Sequence, residues 1–321
     1  MSETTHPDIV RIVLPTPFPV GGVNAFLIKG DPLTLVDCGT NTEEGYAKLV
    51  AKLAEHGFTL QDIEVILITH GHLDHMGLLG RILDETNAQA YAHRVAVERS
   101  SRYDESHDEN VEFYIETMRE CGVPEETVKT FNTFQRAHAP YGAVAHIQNA
   151  VEEGDTVGPY QVIHVPGHSP SDVLFFDPKR QLAFTGDHVL KGITPNPILR
   201  RPTPGQPRPK TLIEYVESLR RTHTLDLAVC YPGHGSPITD HRAIIDVLFE
   251  RVEDRTARIL DFLEAGPMTP HDVTMALFPK IDTKQYMLGL SVAIGHLELL
   301  EQRDVVQSTA QAGVTYYNRL V

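Results

Sequence analysis

Along the chain, short apolar runs of β type alternate with stretches in which apolar residues recur at helical spacing. Residues 9 to 37 hold three such runs, IVRIVLP, NAFLIKG and LTLVDCG, and the punctuation between them, PVGG and GDP, predicts strands joined by turns. EEGYAKLVAKLAEHG follows with a helical pattern that Gly57 closes. EVILITH predicts a buried strand, HMGLLGRILDETN the next helix, and AQAYAHRVAVERS a short strand leading out of it. This alternation predicts an α/β architecture.

Residues 97 to 145 change to polar and aromatic helical text without a clear strand and predict a helical insertion or lid. Three strand-then-turn units come next, YQVIHVPGH, QLAFTGD and LAVCYPGH, each ending on a histidine or aspartate. The Pro-rich KGITPNPILRRPTPGQPRPK lies between the last two and is too rich in proline for regular structure. Residues 241 to 321 predict three helices and a β-hairpin around Gly313, an order that suits a small winged-helix-like domain. The expected organisation is a catalytic domain over 1–240 that carries the 97–145 insertion, followed by a helical domain over 241–321.

The polar residues that interrupt this pattern cluster at one place. In ILITHGHLDHMGLLG, His70, His72, Asp74 and His75 fall within six positions between a strand and a helix. On an extended chain His70 and His72 point to the same side, while Asp74 and His75 sit where the chain turns into the helix. Imidazole and carboxylate bind zinc and its borderline neighbours, and two groups of ligands at two angles can serve two ions. The plainer account is a polar strand-to-helix turn with Asp74 as N-cap.

His70-x-His72-x-Asp74-His75 resembles the signature of the metallo-β-lactamase-fold hydrolases, and His168 in VPGHSPSD, Asp187 in FTGDHV and His234 in YPGHG match the remaining family ligands in order and context. The resemblance runs over roughly residues 9 to 240. It implies an αβ/βα sandwich of two mixed sheets flanked by helices, with the site at one edge between them. It also implies that His70, His72 and His168 hold one divalent ion, that Asp74, His75 and His234 hold the other, and that Asp187 bridges the two. Zinc is the expected metal, with iron or manganese as alternatives. Asp37 in LVDCG matches a family aspartate that hydrogen-bonds a ligand histidine; alone it reads as a turn-former after a strand.

A water shared by two such ions has its pKa lowered to about 7 and becomes a nucleophile at neutral pH. Asp74, beside that water, is the expected catalytic proton acceptor. His188 is a candidate acid for the leaving group, a partner to the bridging carboxylate, or simply a backbone hydrogen-bonder. The expected reaction is hydrolysis of an ester, thioester or lactone of a small, partly apolar substrate. Leu190 stands where acyl-homoserine lactonases carry tyrosine, and the similarity to glyoxalase II stops before its basic glutathione-binding region. The tail instead resembles that of the lactamase-beta-like group with a winged-helix module, which includes ribonucleases and thioesterases.

Charge bears on that choice. The chain carries a formal charge of −15, and residues 241 to 321 hold 8 Lys and Arg against 11 Asp and Glu. The candidate recognition helix, QYMLGLSVAIGHLELL, is mostly apolar, so neither a nucleic-acid partner nor nuclease activity is expected. Its apolar face suits a homodimer contact or docking onto the chain's own main domain.

Phe113, Tyr114, Phe131, Phe134, His138 and Tyr141 in the insertion either wall the substrate or pack as ordinary helices. Lys191, Arg200, Arg201, Arg208 and Lys210 in the Pro-rich loop either bind an anionic end of it or are merely solvated. No stretch is apolar enough to span a membrane and the N-terminus lacks a secretory pattern, so the expected location is cytoplasmic. The three cysteines show no disulfide or metal spacing and are expected to be reduced and buried. Two other classes stay in play: a mononuclear iron persulfide dioxygenase using His70, His168 and Asp187, and a non-catalytic ligand sensor on the same fold.

Overall fold

The computed structural model describes residues 6–202 and 205–320. Residues 1–5, part of the stretch read for a leader, residues 203 and 204 of the Pro-rich loop, and Val321 lie outside it. The chain forms two compact units, one of Met1–Ser106, Pro140–Pro195 and Ser218–Ile245, the other of His107–Ala139, Asn196–Glu217 and Asp246–Val321.

In the first unit, β1 (Ile9–Leu14), β2 (Val23–Ile28), β3 (Thr34–Val36), β4 (Val65–Ile68), β5 (Gln89–His93) and β6 (Asn149–Val151) make one sheet in chain order. Its first pairings are antiparallel, and those from β3 to β6 are parallel. A second sheet holds β7 (Thr156–Val157), β8 (Tyr160–His164), β9 (Val173–Asp177), β10 (Leu182–Gly186) and β11 (Val229–Pro232), antiparallel except between β10 and β11. Both sheets are mixed, as the resemblance implies.

The side-chain period of two explains the layers. From β2 and β4, Ala25, Leu27, Ile66 and Ile68 join one core with Leu49 and Leu53 of α1 (Glu43–Glu55). The same core takes in Leu79 and Ile82 of α3 (Leu79–Glu85) and Ala96 of α4 (Arg94–Ser100), with the short α2 (Leu73–Met76) preceding them. The alternate residues Phe26, Ile28 and Leu67 meet Val162, Phe175, Phe184 and Tyr231 of the second sheet. Strands buried on both faces read as unbroken apolar runs, which is why β2 and β4 stand out in the sequence. α1 begins where Thr42 accepts from the Gly45 N–H, with Glu43 and Glu44 in its first turn.

The second unit contains most of α5 (Tyr103–Glu120), α6 (Glu125–His138), the start of α7 (Thr211–His223), most of α8 (His241–Phe262), α9 (Pro270–Leu277), α10 (Tyr286–Gln302) and the hairpin β12 (Val306–Gln311) to β13 (Val314–Arg319). The 97–145 insertion therefore groups mainly with the C-terminal segment and not, as the linear pattern suggests, with the catalytic domain. Val111, Ile115, Met118, Val128 and Phe131 of α5 and α6 share a core with Tyr286, Met287, Leu290 and Ile294 of α10. That burial also takes the apolar face of residues 285–300 into the unit's own interior. All three cysteines are free and buried. No helix among the described residues is long and apolar enough to cross a membrane.

Candidate metal centre

The ends of five strands converge in the first unit. Asp37 follows β3, His70 follows β4, His168 sits between β8 and β9, Asp187 follows β10 and His234 follows β11. His72 precedes α2, which carries Asp74 and His75 in a single turn. A break in register at Gly186 and Pro232 re-aims the chain where Asp187 leaves the sheet. Gly233 has no room for a side chain, since a Cβ would stand 2.4 Å from both Asp187 Oδ1 and the His75 ring.

All seven predicted ligands are brought together. His70, His72 and His168 form one group of donors, Asp74, His75 and His234 another, and His70, His75 and Asp187 a third that joins them; within each group the donor atoms lie within 4.8 Å of one another. His70 Nε2 is 3.0 Å from His72 Nδ1, and Asp187 places its oxygens 3.4 Å from His75 Nε2, 3.4 Å from His234 Nε2 and 3.6 Å from His168 Nε2. His234 Nε2 is 3.3 Å from Asp74 Oδ2. Nitrogen ligands about 2.05 Å from a tetrahedral ion are separated by about 3.3 Å, so this spacing fits donors facing a common ion. His75 Nε2, His234 Nε2 and Asp187 Oδ1 are buried and make no hydrogen bond, a costly arrangement unless something else satisfies them.

The outer ring atoms are anchored. His75 Nδ1 donates to Asp37 Oδ2 at 2.8 Å, and His234 Nδ1 donates to the Gly22 carbonyl at 2.9 Å, so both Nε2 lone pairs face the centre. Asp37 also accepts from the Thr69 amide at 2.9 Å and the Thr69 hydroxyl at 2.8 Å. Asp37 thus has the structural position expected of it, while Thr69 and the Gly22 carbonyl went unread because neither carries a sequence signature.

Electrostatics divides the histidines. Burial, and then the neighbouring imidazoles, hold His70 well below its ordinary pKa; burial and His168 bring His72 down to about 3. Burial also pulls at His75, but Asp187, Asp74 and Asp37 outweigh it and hold the ring well above its ordinary value. His234 is raised to about 9 because Asp187 and Asp74 outweigh burial in the same way. A centre this rich in carboxylate attracts positive charge, whether protons or a metal ion.

His188 is fully buried, its Nε2 is 2.9 Å from the Thr222 hydroxyl, and burial brings its pKa down to about 3. That placement suits a brace for the Asp187 segment and argues against proton donation to a leaving group. The aromatic residues of the insertion divide too. Phe131 is fully buried in the second unit's core, with Phe113 and Tyr114 packed against it. Phe134 meets His138 at a tilt of 53° in the same unit, with ring centres 4.0 Å apart. Tyr141, half-buried in the first unit, meets Phe18 edge-on with ring centres 5.8 Å apart. In the Pro-rich loop Arg200, Arg201 and Arg208 pair with Glu214, Glu109 and Glu298, so these charges are largely answered within the fold.

The family profile described as metallo-beta-lactamase superfamily matches residues 18–234. The chain is 34% identical to the probable metallo-hydrolase YqjP of Bacillus subtilis, with 98% of this chain and 99% of that protein covered. It is 24% identical to the atrochrysone carboxyl ACP thioesterase of Aspergillus fumigatus over 80% of this chain and 65% of that one. Among solved structures it is similar to the metallo-beta-lactamase family protein TTHA1429 of Thermus thermophilus, with a TM-score of 0.81, 27% identity, and coverage of 98% of this chain and 99% of that one. Both mixed sheets, the donor cluster at their strand ends and these similarities lead to one assignment: the chain belongs to the metallo-beta-lactamase superfamily.

Proposed function

We propose that the chain is a metal-dependent hydrolase with two divalent ions per molecule, acting on a thioester, ester or lactone of a small, partly apolar substrate. The observation that carries this reading is the arrangement of donors: Asp187 lies between histidines of both groups, 3.4 to 3.6 Å from their ring nitrogens, a spacing that fits ligands facing a common ion. His70, His72 and His168 would hold one ion, Asp74, His75 and His234 the other, and Asp187 would touch both. Bound divalent ions supply a water of lowered pKa and an electrophile for a carbonyl oxygen.

The chain's own residues do the rest. Asp74, only 8% exposed and beside His234, is placed to accept the proton of the attacking water. Asp37 and the Gly22 carbonyl fix the tautomers of His75 and His234. Tyr141 and Phe18 offer an apolar surface within the same unit. The similarity to an ACP thioesterase puts thioesters first among the substrates.

We read residues 241–320 as a winged-helix-like module that does not bind nucleic acid, because α10, where a reading helix would stand, is buried along most of its length. The test is elemental analysis of the purified protein with a hydrolysis panel of thioesters, esters, lactones and phosphate esters. About two divalent ions per chain are expected, with hydrolysis of an acyl substrate at least 100-fold weaker in Asp187→Asn and His72→Ala. Undiminished hydrolysis by a metal-free sample overturns the reading, and a single iron with oxygen consumption on a persulfide substrate replaces it.

A further inference from the structure

Two loops carry one side of the centre. Residues 69–72 lead from β4 to α2 with His70 and His72, and residues 165–172 lead from β8 to β9 with His168. What fixes their separation is a buried hydroxyl. Ser171 is 2% exposed, and its Oγ accepts from the N–H of Gly71, the residue between His70 and His72, at 3.0 Å. The same Oγ lies 3.0 Å from Ser169 Oγ, and the Ser169 amide donates to Asp172 Oδ2 at 2.6 Å. Ser169 and Asp172 are buried as well. Behind this clamp, Val173 N donates to the Thr69 carbonyl at 2.9 Å, and His164 Nε2 donates to the Pro170 carbonyl at 2.9 Å.

Neither bond of the Ser171 hydroxyl, to Gly71 or to Ser169, touches a residue that holds the other group of donors. Asp74 and His75 are set by α2, His75 by Asp37, and His234 by Gly22. We propose that Ser171 is a positioning residue for the ion at His70, His72 and His168 alone: its hydroxyl ties the His168 loop to the backbone between the other two ligands and so sets the size of that one position. A tetrahedral ion tolerates donors displaced by only a few tenths of an ångström, whereas the loops are otherwise joined beyond the ligands, at Thr69 and Val173. This inference rests on the two-ion reading above.

The experiment is a titration of chelator-stripped wild-type protein and Ser171→Ala with cobalt(II), followed by visible absorption and by competition with a chromophoric chelator. The wild type should bind two equivalents. The variant should bind one with wild-type affinity and the second about 10- to 100-fold more weakly. With one ion bound, its spectrum should match that of His72→Ala and differ from that of His234→Ala, while the melting temperature of the stripped protein falls only by the few degrees that one lost buried hydrogen bond costs.

Two equivalents bound by Ser171→Ala as tightly as by wild type overturn the inference and leave the two-ion reading intact. Equal weakening of both positions together with a larger fall in melting temperature also overturns it, because the hydroxyl then serves the fold at large. Wild-type protein that binds no cobalt overturns the reading beneath. Ser169→Ala, which removes one partner of the Ser171 hydroxyl, guards against a variant that fails to fold: it should weaken the same position by a smaller factor, and no difference between positions counts against the inference.

Discussion

Asp37 has a backbone φ of +54°, in the left-handed region that asparagine and aspartate enter more readily than other side chains. From there it accepts three hydrogen bonds, two from Thr69 and one from His75. Asp37→Asn keeps the backbone conformation but presents an N–H₂ group where an acceptor stood, so it no longer holds the proton on His75 Nδ1. We expect zinc affinity measured by chelator competition to fall about 10- to 100-fold. Unchanged affinity would reduce Asp37 to the turn-former that its sequence position alone suggests. The candidate donors themselves were legible because histidines and aspartates interrupt an apolar pattern at strand ends. Thr69 and Ser171 were not, because an ordinary hydroxyl residue shows its partners only in the folded chain.

Among the elements, α10 shows how burial shapes behaviour. Thirteen of its residues, from Tyr286 to Leu300, are buried, so its apolar positions show little helical period and it reads almost as one apolar block. His296 is caught in it. Its Nδ1 donates to the Val292 carbonyl at 2.8 Å, and its Nε2 is buried without a hydrogen bond. Burial brings its pKa down to about 4; the hydrogen bond to Val292 and the charge of Glu253 pull the other way, while Arg255 and Arg303 add to the effect of burial. The unfolded chain takes up this proton near the ordinary value of about 6.5, and the folded chain only near 4. Stability from this group is therefore complete above about pH 6.5 and is lost as pH falls toward 4, by up to ~3 kcal/mol.

Urea unfolding of wild type and His296→Gln at pH 7 and pH 5 checks this: the wild type should lose more stability between the two, and parallel losses would refute it. Other elements were legible to different degrees. The apolar runs of β2, β4, β8, β10 and β11 announced themselves. The three-residue β6 and two-residue β7 are too short to show a period, and β9 (VLFFD) follows directly on the polar GHSPSD turn and merges with it. The helix read over HMGLLGRILDETN is two helices, α2 and α3, separated at Gly77 and Leu78.

For the whole molecule, composition excluded more than it specified. A formal charge of −15 argues against polyanions as partners, and the arginines of the Pro-rich loop, which in sequence could have been an anion site, spend their charge on Glu109, Glu214 and Glu298. What no local pattern could show is which distant segments share a core, as α5 and α6 do with α10.

The centre is the extreme case, gathering residues from position 37 to position 234 and from both sheets. Contacts so far apart in sequence close late, after the sheets have formed and met. We expect the centre to close after the rate-limiting barrier to folding, so that whatever a bound ion contributes acts on the way out. In stopped-flow experiments zinc should leave the refolding rate unchanged and slow unfolding in proportion to the stability it adds; faster refolding with zinc would place the centre early instead. On this account a bound metal would work as a latch on a finished structure, and its supply would govern how long each molecule lasts more than how readily it forms.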